Sequence, residues 1–196
     1  MKKLSTYLFL IFFSFQTSSL ADDIRDFQIE GMSVGDSLLD FFSEEEIKNN
    51  IIKDYYKYKS NKKFITVEFN ELSFFKTYKD GVQIDLKNEK KYEIYGLSGH
   101  IWYKENIDDC YEKQNEIDKE LSKIFKEAKR EYVSKIKHPA DESGKSNVTY
   151  ITYWFKSGDY ASIDCTDWSS KMKPRKDNLG VLLVTKEFND WMRKKD

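Results

Sequence analysis

Between residues 106 and 139, apolar or uncharged residues recur at positions 110, 114, 117, 121, 124/125, 128, 132 and 136. No other stretch constrains the fold so strongly, because three- and four-residue spacing kept up over this length marks an amphipathic helix. Asn106 is a candidate N-cap, and Asp108 and Asp109 fall in the first turn, where the helix dipole favours negative charge. Pro139 is a stop signal. The pattern predicts one long helix over 107–137, roughly 45 Å from end to end. Its seam contains Cys110, Gln114, Ile117, Leu121, Ile124, Ala128 and Tyr132. A coiled-coil partner is one way to cover such a seam; a sheet of the same chain is the expected one.

On either side of this segment the hydrophobic period drops to two. Residues 64–69 alternate, with Ile65, Val67 and Phe69 on one face. Stretches 72–78 and 82–86 flank Lys79-Asp80-Gly81, and an Asp-Gly pair between β-rich runs predicts a hairpin. Residues 92–103 read as a further strand bent at Gly96 and Gly99. A second hairpin, 148–155 with 160–168, turns at Lys156-Ser157-Gly158-Asp159, and 179–184 is a short apolar strand. Ser33, three residues before Asp36, and Ser43, three before Glu46, each predict a capped helix. The first would carry Leu38, Leu39 and Phe42, the second Ile47, Ile51 and Tyr55. Thr185 caps a last helix ending at Trp191-Met192. The expected class is α+β: an antiparallel sheet of two hairpins plus flanking strands, packed by one long amphipathic helix and short N- and C-terminal helices.

The first residues set the compartment. Lys2 and Lys3 precede an apolar stretch at 4–15, and Ser19 and Ala21 are the small residues a signal peptidase reads. Residues 1–21 are the expected signal peptide, leaving 22–196 as a single domain in the periplasm or secreted. The apolar stretch is well short of the roughly 20 residues of a membrane span, so no transmembrane segment is expected after cleavage. In an oxidising compartment Cys110 and Cys165 predict a disulfide tying the start of the long helix to the second hairpin. Loss of Lys2 and Lys3 takes the formal charge from −1 to −3, which argues against a nucleic-acid binder. The arginines are only Arg25, Arg130, Arg175 and Arg193, a poor stock for bidentate anion recognition. Two cysteines and two distant histidines are too few for a metal site, and no cofactor is expected.

Candidate chemistry is thin. Gly35-Asp36-Ser37-Leu38 resembles the block that names the GDSL (SGNH) esterases, in which the serine is the nucleophile. That resemblance also implies a histidine base three residues after an aspartate, whereas Leu97 precedes His100 and Lys135 precedes His138 at that spacing. Gly96-Leu97-Ser98-Gly99-His100 is half of a nucleophile elbow, with His100 where glycine belongs. His100 therefore reads as a sheet residue and His138 as a charge partner for a helix end. Asp164 and Asp167, flanking Cys165, are the acid pair most in need of a structural check. Lys171, Lys173, Arg175 and Lys176 form a basic loop that could meet an anionic surface or an acidic partner.

The stretch Phe27-Gln28-Ile29-Glu30-Gly31-Met32-Ser33, followed by a helix pair and antiparallel strands, resembles the opening of the SmpA/OmlA (BamE) small periplasmic domains over about 25 residues. The chain departs from them in having no lipidated cysteine and in carrying a long second half. The resemblance implies an accessory role in the bacterial envelope. The expectation is a monomeric, non-enzymatic binding domain whose partner is an envelope protein or an anionic surface. The alternative is a GDSL-like serine esterase using Ser37.

Overall fold

Strand alternation sorts the side chains of this chain into two chemically different faces, and the architecture follows from how each is covered. The computed structural model describes residues 23–194 apart from 57, 71, 74, 104 and 105. The expected signal peptide, 1–21, lies outside the described residues. Seven strands form one antiparallel sheet in the order β1-β2-β3-β7-β6-β5-β4. They are β1 (Phe64–Phe69), β2 (Gly81–Lys87), β3 (Ile94–Tyr103), β4 (Lys129–Lys137), β5 (Asn147–Trp154), β6 (Tyr160–Asp167) and β7 (Asp177–Val184). Helices α1 (Glu44–Asn49), α2 (Ile107–Ile124) and α3 (Lys186–Arg193) complete the α+β fold. Two meanders, β1-β2-β3 and β4-β5-β6-β7, meet where β3 pairs with β7 at the centre of the sheet.

One face is apolar from edge to edge. The register lines up Val67, Ile84, Leu97, Leu183, Ala161 and Tyr153, and beside them Val82, Val181, Ile163 and Ile151. Helix α2 covers the half formed by β3, β6 and β7, and the segment containing Ile24, Phe27, Met32, Leu38, Phe42 and Ile47 joins the same core. Phe27 meets Phe125 edge-on at 4.5 Å, and Phe42 stacks on Phe69 at 4.0 Å. The Cys110–Cys165 disulfide is formed, with both residues fully buried and 6.0 Å between their Cα atoms. Beside it, the buried Gln114 amide donates to the carbonyls of Thr149 and Ile163, so the polar group under the helix is satisfied.

The helix is shorter than its spacing predicts. It ends at Ile124, and 129–137 is not helix but the edge strand β4. The ambiguity is arithmetic. Positions 128, 132 and 136 are four apart, which is both one helical turn and two strand repeats. Tertiary contacts decide between them. Phe125 is buried among Phe27, Tyr153 and Phe155, and Arg130 turns back to grip Asp118 of α2 through two 2.8 Å bonds. Tyr132, assigned to the helix seam, instead lies opposite Ile151 on β5 and is largely exposed.

Three other expectations change. Among the described residues of the stretch 72–78 no strand forms, because the Glu30 carboxylate takes the N–H groups of Lys76, Thr77 and Tyr78 that a ladder would need. The Asp80-Gly81 turn therefore closes no tight hairpin. Asp80 accepts from the Trp102 N–H and Gly81 starts β2, which pairs with β1 across the whole 70–80 excursion. Ser33 caps no helix: Asp36 accepts its N–H, and the next helical turn is a single 3-10 turn, Leu38–Asp40, capped by Ser37. The Ser43–Glu46 capping box is present, but α1 stops at Asn49, and Ile51 and Tyr55 leave the helix. Ile51 pairs with Val67 along the outer edge of β1, which carries the chain around to the other face.

Reducing the disulfide should lower stability by about 4 kcal/mol in the chain-entropy picture. Urea unfolding of the native protein with and without reductant, set against Cys110→Ser/Cys165→Ser, checks this: the midpoint should fall to one common value for the reduced protein and the double variant.

Candidate functional site

The opposite face of the sheet is where chemistry-bearing side chains collect. The register sets them in rows. One row reads Thr66, Asp85, Gly96, Val184, Tyr160 and Trp154; the next Gln83, Ser98, Leu182, Ser162 and Thr152; the next His100, Gly180, Asp164 and Tyr150; the last Trp102, Asn178 and Thr166. A hydroxyl-rich row on a central sheet face is unusual in a core, and α2 lies on the other side. The first row is covered by α3. Phe188 and Trp191 cluster there with Phe64, Val184 and Tyr56; in the rows beyond it Tyr55 reaches Gln83, while Ser98, Thr152, Ser162 and Thr166 are buried and His100, Asp164 and Tyr150 are half-buried.

Asp85 anchors the covered end. Its side chain is 7% exposed, and one oxygen accepts from Tyr56 at 2.8 Å and Thr66 at 2.6 Å. The other oxygen lies over Gly96, where an added Cβ would stand 2.7 Å from it and 3.2 Å from the Phe188 ring. Glycine is thus required at 96 for a carboxyl and a helix to share the space. Burial pushes the Asp85 carboxyl up to about 6. Asp164 is likewise raised to about 6 by burial, with the Ser162 hydroxyl donating to it.

Between these lies the Ser98–His100 pair. Ser98 Oγ is 3.2 Å from His100 Nε2 and also donates to the Gln83 carbonyl at 3.3 Å. Burial lowers His100 to about 4, so its imidazole is neutral at physiological pH. The ring leans over Gly180, whose missing side chain leaves room for it between His100 and Asp164. A serine beside a neutral imidazole has the first element of a nucleophile and base. The second element, donors for an oxyanion, is harder to supply here. Residues 96–100 of β3 are paired on both sides, by β2 and β7, so neighbouring N–H groups serve the ladder.

The residues singled out from the sequence are dispersed. Ser37 Oγ donates to the Lys91 carbonyl at 2.7 Å and accepts from the Leu39 N–H, so its hydroxyl works as a turn cap. Asp164 and Asp167, three residues apart on a strand, point to opposite faces, and only Asp164 belongs to the open one. His138 sits at no helix end. It follows β4, its Nδ1 accepts from the Ala140 N–H, and its ring packs 4.2 Å from Trp168. In the basic loop, Arg175 lies over Trp168 at 4.5 Å and Lys176 over Trp102 at 3.8 Å. Lys171 and Lys173 are exposed. Trp102 belongs to the last row, so the loop and the open face are one continuous surface.

Comparison with protein-family models, curated proteins and solved structures yields no match. Function therefore rests on the site alone. Among the described residues, no three His, Cys, Asp or Glu side chains gather as a metal ion would require. No helix among them is long and apolar enough to cross a membrane.

The buried groups fix a pH signature. A carboxyl whose folded pKa is raised to about 6 stabilises the fold at low pH, and that contribution is lost as pH rises from about 4 to about 6. His100, lowered to about 4, and His138, also lowered by burial, work the other way over the same window, against the two carboxyls and Asp167, which burial raises as well. The melting temperature should therefore be higher at pH 5 than at pH 7. In Asp85→Asn/Asp164→Asn the trend should reverse, the two lowered histidines, His100 and His138, then deciding the sign, which thermal melts across pH 4.5–7 would show.

Proposed function

We propose that this chain is an exported, non-catalytic binding domain of the bacterial envelope, periplasmic or secreted, that holds its partner on the open sheet face and the adjoining basic loop. The observation that carries this reading is the asymmetry of the sheet. One face is apolar and covered by α2 and the N-terminal segment. The other carries hydroxyls, an imidazole and a carboxyl across its central strands; α3, Tyr55 and Tyr56 lie over its first rows, and the half-buried His100, Trp102, Tyr150, Asp164 and Asn178 form its accessible part. A polar face that costs free energy to desolvate is not needed to stabilise a sheet, and polar groups convergent on one surface fit a recognition role. The buried disulfide supports export, since such bonds persist in oxidising compartments. The resemblance of residues 27–52 to the BamE-type domains points the same way, toward an accessory part in the envelope.

A second reading, a serine hydrolase, has one observation in its favour, the Ser98–His100 contact. The engagement of the Ser37 hydroxyl as a cap moves that reading from Ser37 to Ser98. The two are separable. A photo-crosslinking residue at Tyr150 or Asn178, half-buried on this face, should give a crosslinked species in the envelope, and one at the exposed Glu116 of α2 should not. Equal crosslinking from both faces, or hydrolysis of a chromogenic ester that disappears in Ser98→Ala, would overturn the binding reading.

A further inference from the structure

Resting on the reading of the basic loop as part of the binding surface, we infer that this end of the sheet docks on the headgroup layer of an anionic phospholipid bilayer. The strand ends place the charge. β4 ends, β5 starts, β6 ends and β7 starts at the same end of the sheet, so the connections 138–146 and 168–176 lie side by side. Lys135, Lys137 and Lys145 are exposed around the first, and Lys171, Lys173, Arg175 and Lys176 on the second. Across residues 135–146 and 168–176 the one exposed acid is Glu142. None of these seven cations enters an ion pair among the described residues, whereas Lys48, Lys63, Lys113 and Lys186 elsewhere do. The exposed acids Asp108, Asp109, Glu112 and Glu116 belong to α2, on the other side of the sheet.

The two connections are held as one platform. Asp141 accepts from the Ser143 and Ser146 N–H groups and from the hydroxyls of Ser146 and Ser169, and the Ser169 N–H donates to Ser146 Oγ. His138 and Arg175 both pack on Trp168, at 4.2 Å and 4.5 Å from its ring centre. A braced platform presents its charges without first having to be ordered. From β4 to β7 it crosses three strand spacings, roughly 15 Å. That breadth suits a plane of charge and not a single phosphate, on which donors would have to converge. The choice of residue agrees. Six of the seven cations are lysines, which act as point charges, whereas the carboxylates of an acidic protein are best met by arginine forks. Lysines beside an anionic leaflet gain from its surface potential one by one, with no fixed geometry. Apolar side chains are interleaved with them: Ile136, 40% exposed, stands between Lys135 and Lys137, and Met172 between Lys171 and Lys173. Such side chains can enter the acyl boundary while the ammonium groups stay among the phosphates.

The test is co-sedimentation of the exported, disulfide-intact protein with vesicles of phosphatidylcholine, alone or with an equal share of either phosphatidylglycerol or phosphatidylserine. At low salt the protein should partition onto both anionic vesicles alike, ignore phosphatidylcholine, and come off as salt is raised. Lys171→Glu/Lys173→Glu should weaken partitioning roughly tenfold or more. Lys119→Glu/Lys126→Glu makes the same charge change at exposed positions on and just after α2, and should leave partitioning within about twofold of the wild type. Partitioning that is absent, equal on neutral vesicles, or weakened as much by the α2 variant overturns the bilayer inference. So does a strong preference for one anionic headgroup, which would mean a fitted site and not a charged plane. If vesicles fail while the crosslink from Tyr150 or Asn178 forms and is lost in Lys171→Glu/Lys173→Glu, the partner is an acidic protein; the bilayer inference falls and the binding reading stands. If the crosslink fails as well, both fall.

Discussion

The structure depends on the pairing of β3 with β7. Each strand ends a separate meander, so this one ladder converts a three-stranded and a four-stranded unit into a single sheet. Eight residue pairs, from Gly96–Val184 to Tyr103–Asp177, run without interruption. Their register sets which residues of the two halves share a face. A slip of one residue would turn Leu179, Val181 and Leu183 away from α2 and bring Gly180, Leu182 and Val184 under it. The disulfide guards against that slip from the α2 side, because it ties the helix following β3 to the strand paired with β7.

Much of this was legible in the sequence, and the boundary of what was legible has physical causes. The second hairpin, the last helix, the Ser43 capping box and the cysteine pairing all rest on local chemistry: a turn, a cap or two thiols in one compartment. The failures occur where a distant group outbids the local preference. Glu30 takes the amides of 76–78 from more than forty positions away, and Asp118 pulls Arg130 out of the helix that spacing predicts. The open-face residues were partly readable as well, since Ser98-x-His100-x-Trp102 and Ser162-x-Asp164-x-Thr166 alternate with apolar neighbours. What alternation cannot say is which face a helix will cover, so the polar positions read as an ordinary solvated side.

The two carboxyls on the hydroxyl-bearing face, Asp85 and Asp164, stand in a different relation to charge from the rest of the molecule. Arg130 with Asp118, Lys48 with Glu44 and Lys113 with Glu116 are surface or rim pairs of the usual kind, each of small net worth. Asp85 and Asp164 have hydroxyl partners instead. Hydroxyls are weaker compensation for a buried charge than a guanidinium, and the upward displacement of both groups reflects that. Asp141 is the contrast. Four donors from Ser143, Ser146 and Ser169 converge on it, with Ser146 leading, and hold it well below the usual carboxylate range. It organises a loop.

Residues 50–52 run along the outer side of β1, with the Ile52 N–H donating to the Thr66 carbonyl and the Glu68 N–H to the Asn50 carbonyl. That edge is therefore shielded by the chain itself. The opposite edge, β4, is defended by side chains and shape: lysines at 129, 135 and 137, and a register break between Val133 and Ile136. The two margins of the sheet thus have unequal tolerance to change. Substituting the β4 lysines with threonine or valine would remove charge without loosening any buried contact, and would leave an edge open to pairing with another strand. Those lysines act toward neighbouring molecules and not within the fold: their charge discourages another strand from pairing with the free edge of β4.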